Sequence, residues 1–230
     1  MIRTLLLAAL LICPAITLAQ PTRLAPQLAQ LSEPKPAEAA AKPATPAPDA
    51  AKIVSTVCAA CHGADGHGTA PTNPNLAGLP ADYITLQLSH FKAGIRQNAI
   101  MQGFAASLSD ADMAALGDYY AKQKPRLAKA KDPVLVAAGR KIYRGGVAST
   151  GVPACAACHS PDGAGIAKNY PRVSGQSSEY TYAQLKAFGS GERGNDKAGK
   201  DVNGQIMHTV ASRLTDAEMK AVAEYMQGLR

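Results

Sequence analysis

Cys58-Ala59-Ala60-Cys61-His62 and Cys155-Ala156-Ala157-Cys158-His159 are two copies of one five-residue pattern, 97 residues apart in a chain of 230. Two thiols three positions apart sit on one helical turn, where each can add to a vinyl group of a single haem. The next residue offers an imidazole to the iron. The pattern therefore predicts two covalently attached haems, with Cys58, Cys61, Cys155 and Cys158 as attachment points and His62 and His159 as iron ligands. A disulfide framework would not place a histidine after each pair twice. A zinc site would need further Cys or His at matching spacing, and His67, His90 and His208 do not recur between the halves. A thioredoxin-like motif would follow a strand in a βαβ unit, a pattern this sequence lacks.

The fifth cysteine, Cys13, falls in a different feature. Arg3, the apolar run from Leu5 to Leu11, Pro14 and Thr17-Leu18-Ala19-Gln20 read as a signal peptide over residues 1–19, cut after Ala19. The run is short of the ~20 apolar residues a membrane-spanning helix needs. Ile12 stands where a lipidation site would want a small residue, so lipidation of Cys13 is the weaker reading. The mature protein is expected to be exported to the periplasm, with peripheral membrane association if the leader is kept. Residues 20–49 are rich in Pro and Ala, and Pro34, Pro36, Pro43, Pro46 and Pro48 break any helix. They read as a disordered spacer. The formal charge of +7 is mild once haem propionates are subtracted. Basic residues are scattered and aromatics few, so no nucleic-acid partner is expected.

Beyond the spacer the chain repeats. At an offset of 97, Pro74-Asn75-Leu76-Ala77-Gly78 matches Pro171-Arg172-Val173-Ser174-Gly175, and Tyr83, Gln87 and Leu88 match Tyr180, Gln184 and Leu185. At an offset of 106, the run from Met101 to Met113 matches Met207 to Met219, which puts an insertion of nine residues in the second half, within Gly189 to Asp201. Two homologous domains are the consequence, 50–128 and 129–230, joined by a linker near Pro125 to Pro133. With no Trp and three Phe in the chain, each domain buries little on its own. The haem is expected to complete each core, and the apo-domains to be largely unfolded.

The domains read as all-α. Ser109-Asp110-Ala111-Asp112 and Thr215-Asp216-Ala217-Glu218 open helices, the second with a capping box, that run to about Lys122 and Gln227. Met113, Leu116 and Tyr120 share one apolar face, and Met219, Val222 and Met226 its repeat. Gly117 and Ala223, at matched positions, would let another helix cross closely, expected to be the one that precedes each motif.

The sixth iron ligand decides between carrier and catalyst, since a thioether closes the site and raises the reduction potential. Met101 and Met207 recur at matched places and are expected in extended or loop segments off any apolar helical face, unlike the core residues Met113 and Met219. His208 is the rival in the second half, but Gln102 is its counterpart in the first, so it is expected on the surface. His90, beside Phe91 on a predicted helix, reads as structural, and His67 lies in a Gly-rich loop. The carbonyl of Pro74 or Pro171 could accept the Nδ1 proton of the ligand histidine, the alternative being a turn proline.

Cys-Ala-Ala-Cys-His-Gly-Ala-Asp-Gly at 58–66, Asn-Ala-Ile-Met at 98–101 and Val-Pro-Ala-Cys-Ala-Ala-Cys-His at 152–159 make residues ~50–230 resemble the cytochrome c4 family. The resemblance implies two tandem class I cytochrome c-like domains, each wrapped around a covalently bound haem, with haems facing each other across the interface. It implies ligand pairs His62 with Met101 and His159 with Met207. It also implies a periplasmic electron carrier, with no bond chemistry of its own, between redox partners such as a quinol-oxidising complex and a haem-copper terminal oxidase. The rivals are a cytochrome subunit of a membrane-bound dehydrogenase or oxidase complex, which the spacer suits, and a dihaem peroxidase, which needs an open sixth site.

Overall fold

Side-chain caps set the helix starts at Ala50, Ala99, Asp110, Pro133, Val202 and Asp216. The computed structural model describes residues 48–166 and 169–230; the expected leader and nearly all of the spacer lie outside them. Asp49 accepts from Lys52 N and opens α1 (Ala50–Ile53), which runs through a π turn at Val54–Cys58 into α2 (Ala59–His62). Then come α3 (Ala81–Lys92), α4 (Ala99–Ala106), capped by Asn98, and α5 (Asp110–Ala121), capped by Ser109. A non-helical linker, 122–132, leads to α6 (Pro133–Gly145). Asp132 accepts from Val134 N and Leu135 N there, and Pro133 fills the first helical position, where its missing N–H costs nothing. The second half continues with α7 (Ala156–His159), α8 (Ser178–Ser190), α9 (Val202–Ala211) and α10 (Asp216–Gly228). Outside helices, two isolated bridges, Val147 with Val152 and Ile166 with Tyr170, are the β pairings among the described residues. The expected all-α architecture is thus what the chain adopts.

Each half has its own core. Val54, Leu79, Ile84, Leu116 and Tyr120 form the first, and Ile142, Tyr143, Leu185, Phe188, Met219, Val222 and Met226 lie in the second. Capping boxes occur in both copies, Ser109 with Asp112 and Thr215 with Glu218, so the first helix start is closed by the same reciprocal pair as the second. The helix that crosses at Gly117 is α3, not the one before the motif: a Cβ at Gly117 would lie 2.6 Å from Ala81 O. In the second half the helix before the motif does cross α10, but the small residue at the contact is Gly139 on α6, where a Cβ would lie 2.0 Å from Ala221 O.

Met101 and Met207 are helical, contrary to the expectation of loop or extended segments; they lie in α4 and α9. Their helices begin at caps the spacing did not reveal. Asn98 accepts from Met101 N, whereas the second copy is capped by Asp201, six residues before its methionine. The nine inserted residues are accordingly spread out. They lengthen α8 by one residue over α3, the following loop from 93–98 to 191–201, and the start of α9 by about one turn.

Among the described residues both halves belong to one compact unit. Asn75 and Gln176 join them: Asn75 N donates to Gln176 Oε1 at 2.9 Å, Gln176 Nε2 to Asn75 O at 2.9 Å, and Asn75 Nδ2 to Gly175 O at 2.8 Å. Glu224, buried on α10, pins the linker by accepting from Lys131 N and Asp132 N.

Candidate functional site

α2 and α7 each stop on the motif histidine because the next residue leaves helical space. Gly63 has φ 69° and ψ 151°, and Ser160 has φ 68° and ψ 157°. That region belongs to glycine, and a side chain there costs on the order of 1–3 kcal/mol. Ser160 is held in it by Tyr143 Oη, which donates to its carbonyl at 2.7 Å, and by its own Oγ, which donates to Asp162 at 2.6 Å. The loop then folds back on a glycine carbonyl in both copies. Gly66 O accepts from Leu76 N and Ala77 N, and Gly163 O from Val173 N and Ser174 N. This return brings Pro74 O to 3.1 Å from His62 Nδ1 and Pro171 O to 2.9 Å from His159 Nδ1. The two prolines therefore serve through their carbonyls.

Both imidazoles are buried. Burial pushes each below the ordinary histidine value, with the proline carbonyl acting in the opposite direction. The rings are accordingly neutral at neutral pH, and the bond to proline places the proton on Nδ1. Nε2 keeps a lone pair available for a metal, in the arrangement by which a backbone carbonyl orients a ligand histidine. The four motif cysteines form no disulfide with one another, and all but Cys61 are half-buried. Burial raises the Cys58 thiol, with Tyr120 opposing, and carries Cys155 up to about 11.

One continuous cavity of about 840 Å³ touches Cys58, Cys61, His62 and Met101 of the first half and Cys155, Cys158, His159 and Met207 of the second. All eight residues singled out in the sequence meet on its wall. His67, His90 and His208 are not part of that wall. His208, expected on the surface, is instead half-buried, its Nδ1 2.6 Å from Phe188 O. Val57, Ile100, Phe104 and Ile206 line the cavity and are exposed, an apolar surface that a planar macrocycle would cover.

Between the two motifs lies a polar ring the sequence reading did not assign. Arg96 donates to Gln87 Oε1 at 2.7 Å, to Gln184 Oε1 at 2.9 Å and to Tyr180 Oη at 2.9 Å. Arg193 repeats this from the other half, to Gln184 Oε1 at 2.6 Å, Gln87 Oε1 at 2.9 Å and Tyr83 Oη at 3.2 Å. Each guanidinium also stacks on a phenyl ring of its own half, Arg96 on Phe91 and Arg193 on Phe188. Burial alone would raise the Tyr180 phenol, but the charges of Arg96 and Arg193 outweigh it and hold it below its ordinary value. Tyr83, Gln87, Tyr180 and Gln184 were visible as repeats at an offset of 97, and Arg96 with Arg193 obeys the same offset.

These residues fit a haem. Two buried guanidinium groups hydrogen-bonded to neutral glutamine and tyrosine leave positive charge on the cavity wall, where the carboxylates of a haem would satisfy it. Arg172 Nε and Thr181 Oγ1 are buried without a hydrogen-bond partner among the described residues, and both residues line the same cavity. Cysteine pairs for attachment, a histidine with a free Nε2, and a methionine complete the set in each half.

Comparison with known proteins agrees. The profile of the cytochrome c family matches residues 47–124 and again 136–230. A thiosulfate dehydrogenase electron acceptor of Thiomonas intermedia is 44% identical over 172 residues, 74% of this chain and 76% of that protein. A cytochrome c4 of Pseudomonas aeruginosa is 42% identical over 181 residues, 78% of this chain and 87% of that protein. The crystal structure of reduced recombinant cytochrome c4 from Pseudomonas stutzeri superposes with a TM-score of 0.72 at 36% identity, covering 81% of this chain and 100% of that one. The chain therefore belongs to the cytochrome c family and, within it, to the dihaem cytochrome c4 type of electron carrier, with two covalently bound haem c groups.

Proposed function

We propose that the chain is an exported periplasmic carrier in which Cys58, Cys61, Cys155 and Cys158 would attach two haems, His62 and Met101 would hold one iron, and His159 and Met207 would hold the other. It passes electrons between respiratory complexes, from a quinol-oxidising complex to a haem-copper terminal oxidase. The observation that carries this reading is the placement of all eight residues on one cavity. Bound haem supplies the one-electron Fe(II)/Fe(III) couple. The chain's part is to keep both ends of each site fixed. The Pro74 and Pro171 carbonyls orient the imidazoles, the caps Asn98 and Asp201 fix the helices that carry the methionines, and the two cores limit water. With a histidine and a methionine holding each iron, little rearrangement would accompany an arriving electron and no position would be left for peroxide. No helix among the described residues is long and apolar enough to cross a membrane, which suits exchange with partners at a surface.

A second reading has its own support in the acceptor of thiosulfate dehydrogenase electrons, at 44% identity: the donor would then be a sulfur-oxidising dehydrogenase. Reduction rates with each class of donor separate the two.

Redox titration of the holo-protein, followed optically and by paramagnetic resonance, tests the ligand sets. Two low-spin His/Met centres are expected. Met101→Ala and Met207→Ala should each remove one such signal and lower one midpoint potential, and unchanged spectra in both variants would remove the assignment. Turnover of hydrogen peroxide at enzymatic rates would replace the carrier by a peroxidase.

A further inference from the structure

The ring between the halves is symmetric, but its surroundings are not. His90 on α3 is 4% exposed, and its Nδ1 has no hydrogen-bond partner among the described residues. The carboxylate that faces it comes from the other half: Asp201 Oδ1 lies 4.0 Å away, on a residue itself 8% exposed. The repeat supplies neither partner a second time, since Ala187 occupies the position of His90 and Asn98 caps α4 where Asp201 caps α9.

The pair is connected to the cavity at both ends. Asp201 lines it, and the carbonyl of His90 accepts from Ile95 N and Arg96 N, which anchors the guanidinium that also lines it. Four charged groups act on the ring of His90: Asp201 and Asp196 favour its protonation, and Arg193 and Arg96 oppose it. Burial is the largest influence and holds the imidazole below the ordinary histidine value. A second proton on the neutral ring would make it a cation 4.0 Å from the buried Asp201 carboxylate, a buried ion pair.

We propose that His90 and Asp201 form a proton-binding site between the two halves, whose occupancy is coupled to electron uptake by the chain. The proposal rests on the dihaem carrier reading. A one-electron reductant delivers one negative charge to the haem sites, and a proton from solvent binds the neutral His90 imidazole and offsets it. On oxidation the electron leaves to an acceptor and the proton returns to solvent. A unit charge on the scale of half a domain away changes the proton affinity of a buried group by about fivefold.

The test uses the folded holo-protein. Spectroelectrochemistry from about pH 4.5 to 8 should show a midpoint potential that falls with rising pH below the ordinary histidine value of about 6.5. His90→Gln should flatten that dependence. Asp201→Asn, which can still cap α9, should move the window to lower pH, because the carboxylate that favours protonation is gone. Independently of any potential, nuclear magnetic resonance of the His90 ring should give a titration midpoint that rises by about fivefold in proton affinity on reduction. A flat wild-type potential, a dependence that persists in His90→Gln, or a His90 midpoint that ignores oxidation state overturns the proposal. Reversible one-electron couples seen alongside any of these would leave the carrier reading standing, and their absence would instead remove that reading.

Discussion

Gly139→Ala is the sharpest test of how the second half is built. At this position a Cβ would stand 2.0 Å from Ala221 O, 2.6 Å from Ala221 C and 2.8 Å from Tyr225 Cβ. Ordinary carbon contacts begin near 3.5 Å, so α6 and α10 would have to part by roughly 1.5 Å. Overpacking costs typically ~1–3 kcal/mol, and the obstacle here is main chain, which cannot rotate away. Replacing glycine inside a helix returns ~1 kcal/mol of intrinsic preference; with a main-chain obstacle the overpacking cost belongs at the top of its range, about 3 kcal/mol, and we expect a net loss of about 2 kcal/mol. Gly145→Ala in the same helix is the control, because its Cβ would meet nothing within 4 Å; its effect should stay within ~0.5 kcal/mol. Urea denaturation of the holo-proteins, followed by far-ultraviolet circular dichroism, measures both. α6 leads through Gly146 and the Val147–Val152 bridge to Cys155, so only the second haem's potential should move in Gly139→Ala. Equal stability of the two variants would refute the close crossing.

Three further expectations concern the caps, the ring and the cofactor. Hydrogen bonds from Ser109 hold the Asp112 carboxyl below its ordinary value; that contribution is complete above the ordinary value near 3.8 and is lost as pH falls through the lower folded value. The thermal-midpoint difference between wild type and Ser109→Ala should therefore shrink in acid, and a constant difference would contradict the pairing. Gln87→Leu removes an acceptor shared by Arg96 and Arg193 and should cost ~1–3 kcal/mol, with marked non-additivity against Gln184→Leu in a denaturation cycle; simple additivity would mean the ring is not closed. Protein matured without haem should lose most of its helical dichroism, and a largely intact helical spectrum would show that the cores of the two halves suffice alone.

The motifs, the duplication and the apolar faces of α5 and α10 were legible because each rests on local spacing. Met113, Leu116 and Tyr120 are buried as their period required. Gly117 was legible as a contact but not its partner, because helix periodicity marks a face and says nothing of which neighbour meets it. Met101 and Met207 were found by repetition and yet misplaced in secondary structure. The caps Asn98 and Asp201 stand at different distances from their methionines, so the repeat blurred the helix starts. The ring of Arg96, Gln87, Arg193 and Gln184 was beyond reach for a different reason. Each residue is unremarkable in its own segment, and only the packing of one half on the other brings the four together. His90 read as structural for the same reason, since its carboxylate lies 111 positions away in the chain.

The shared glutamine oxygens give the duplication a lasting constraint. Each of Gln87 and Gln184 answers both arginines, and each arginine reaches a tyrosine of the opposite copy. Once two copies are locked in this way, neither can drift by itself: a substitution in one changes the fit of its counterpart in the other, and a repair is as readily made in the opposite copy as in the one that was hit. The two halves are thereby tied to one another at their seam, a constraint that does not reach their outer faces.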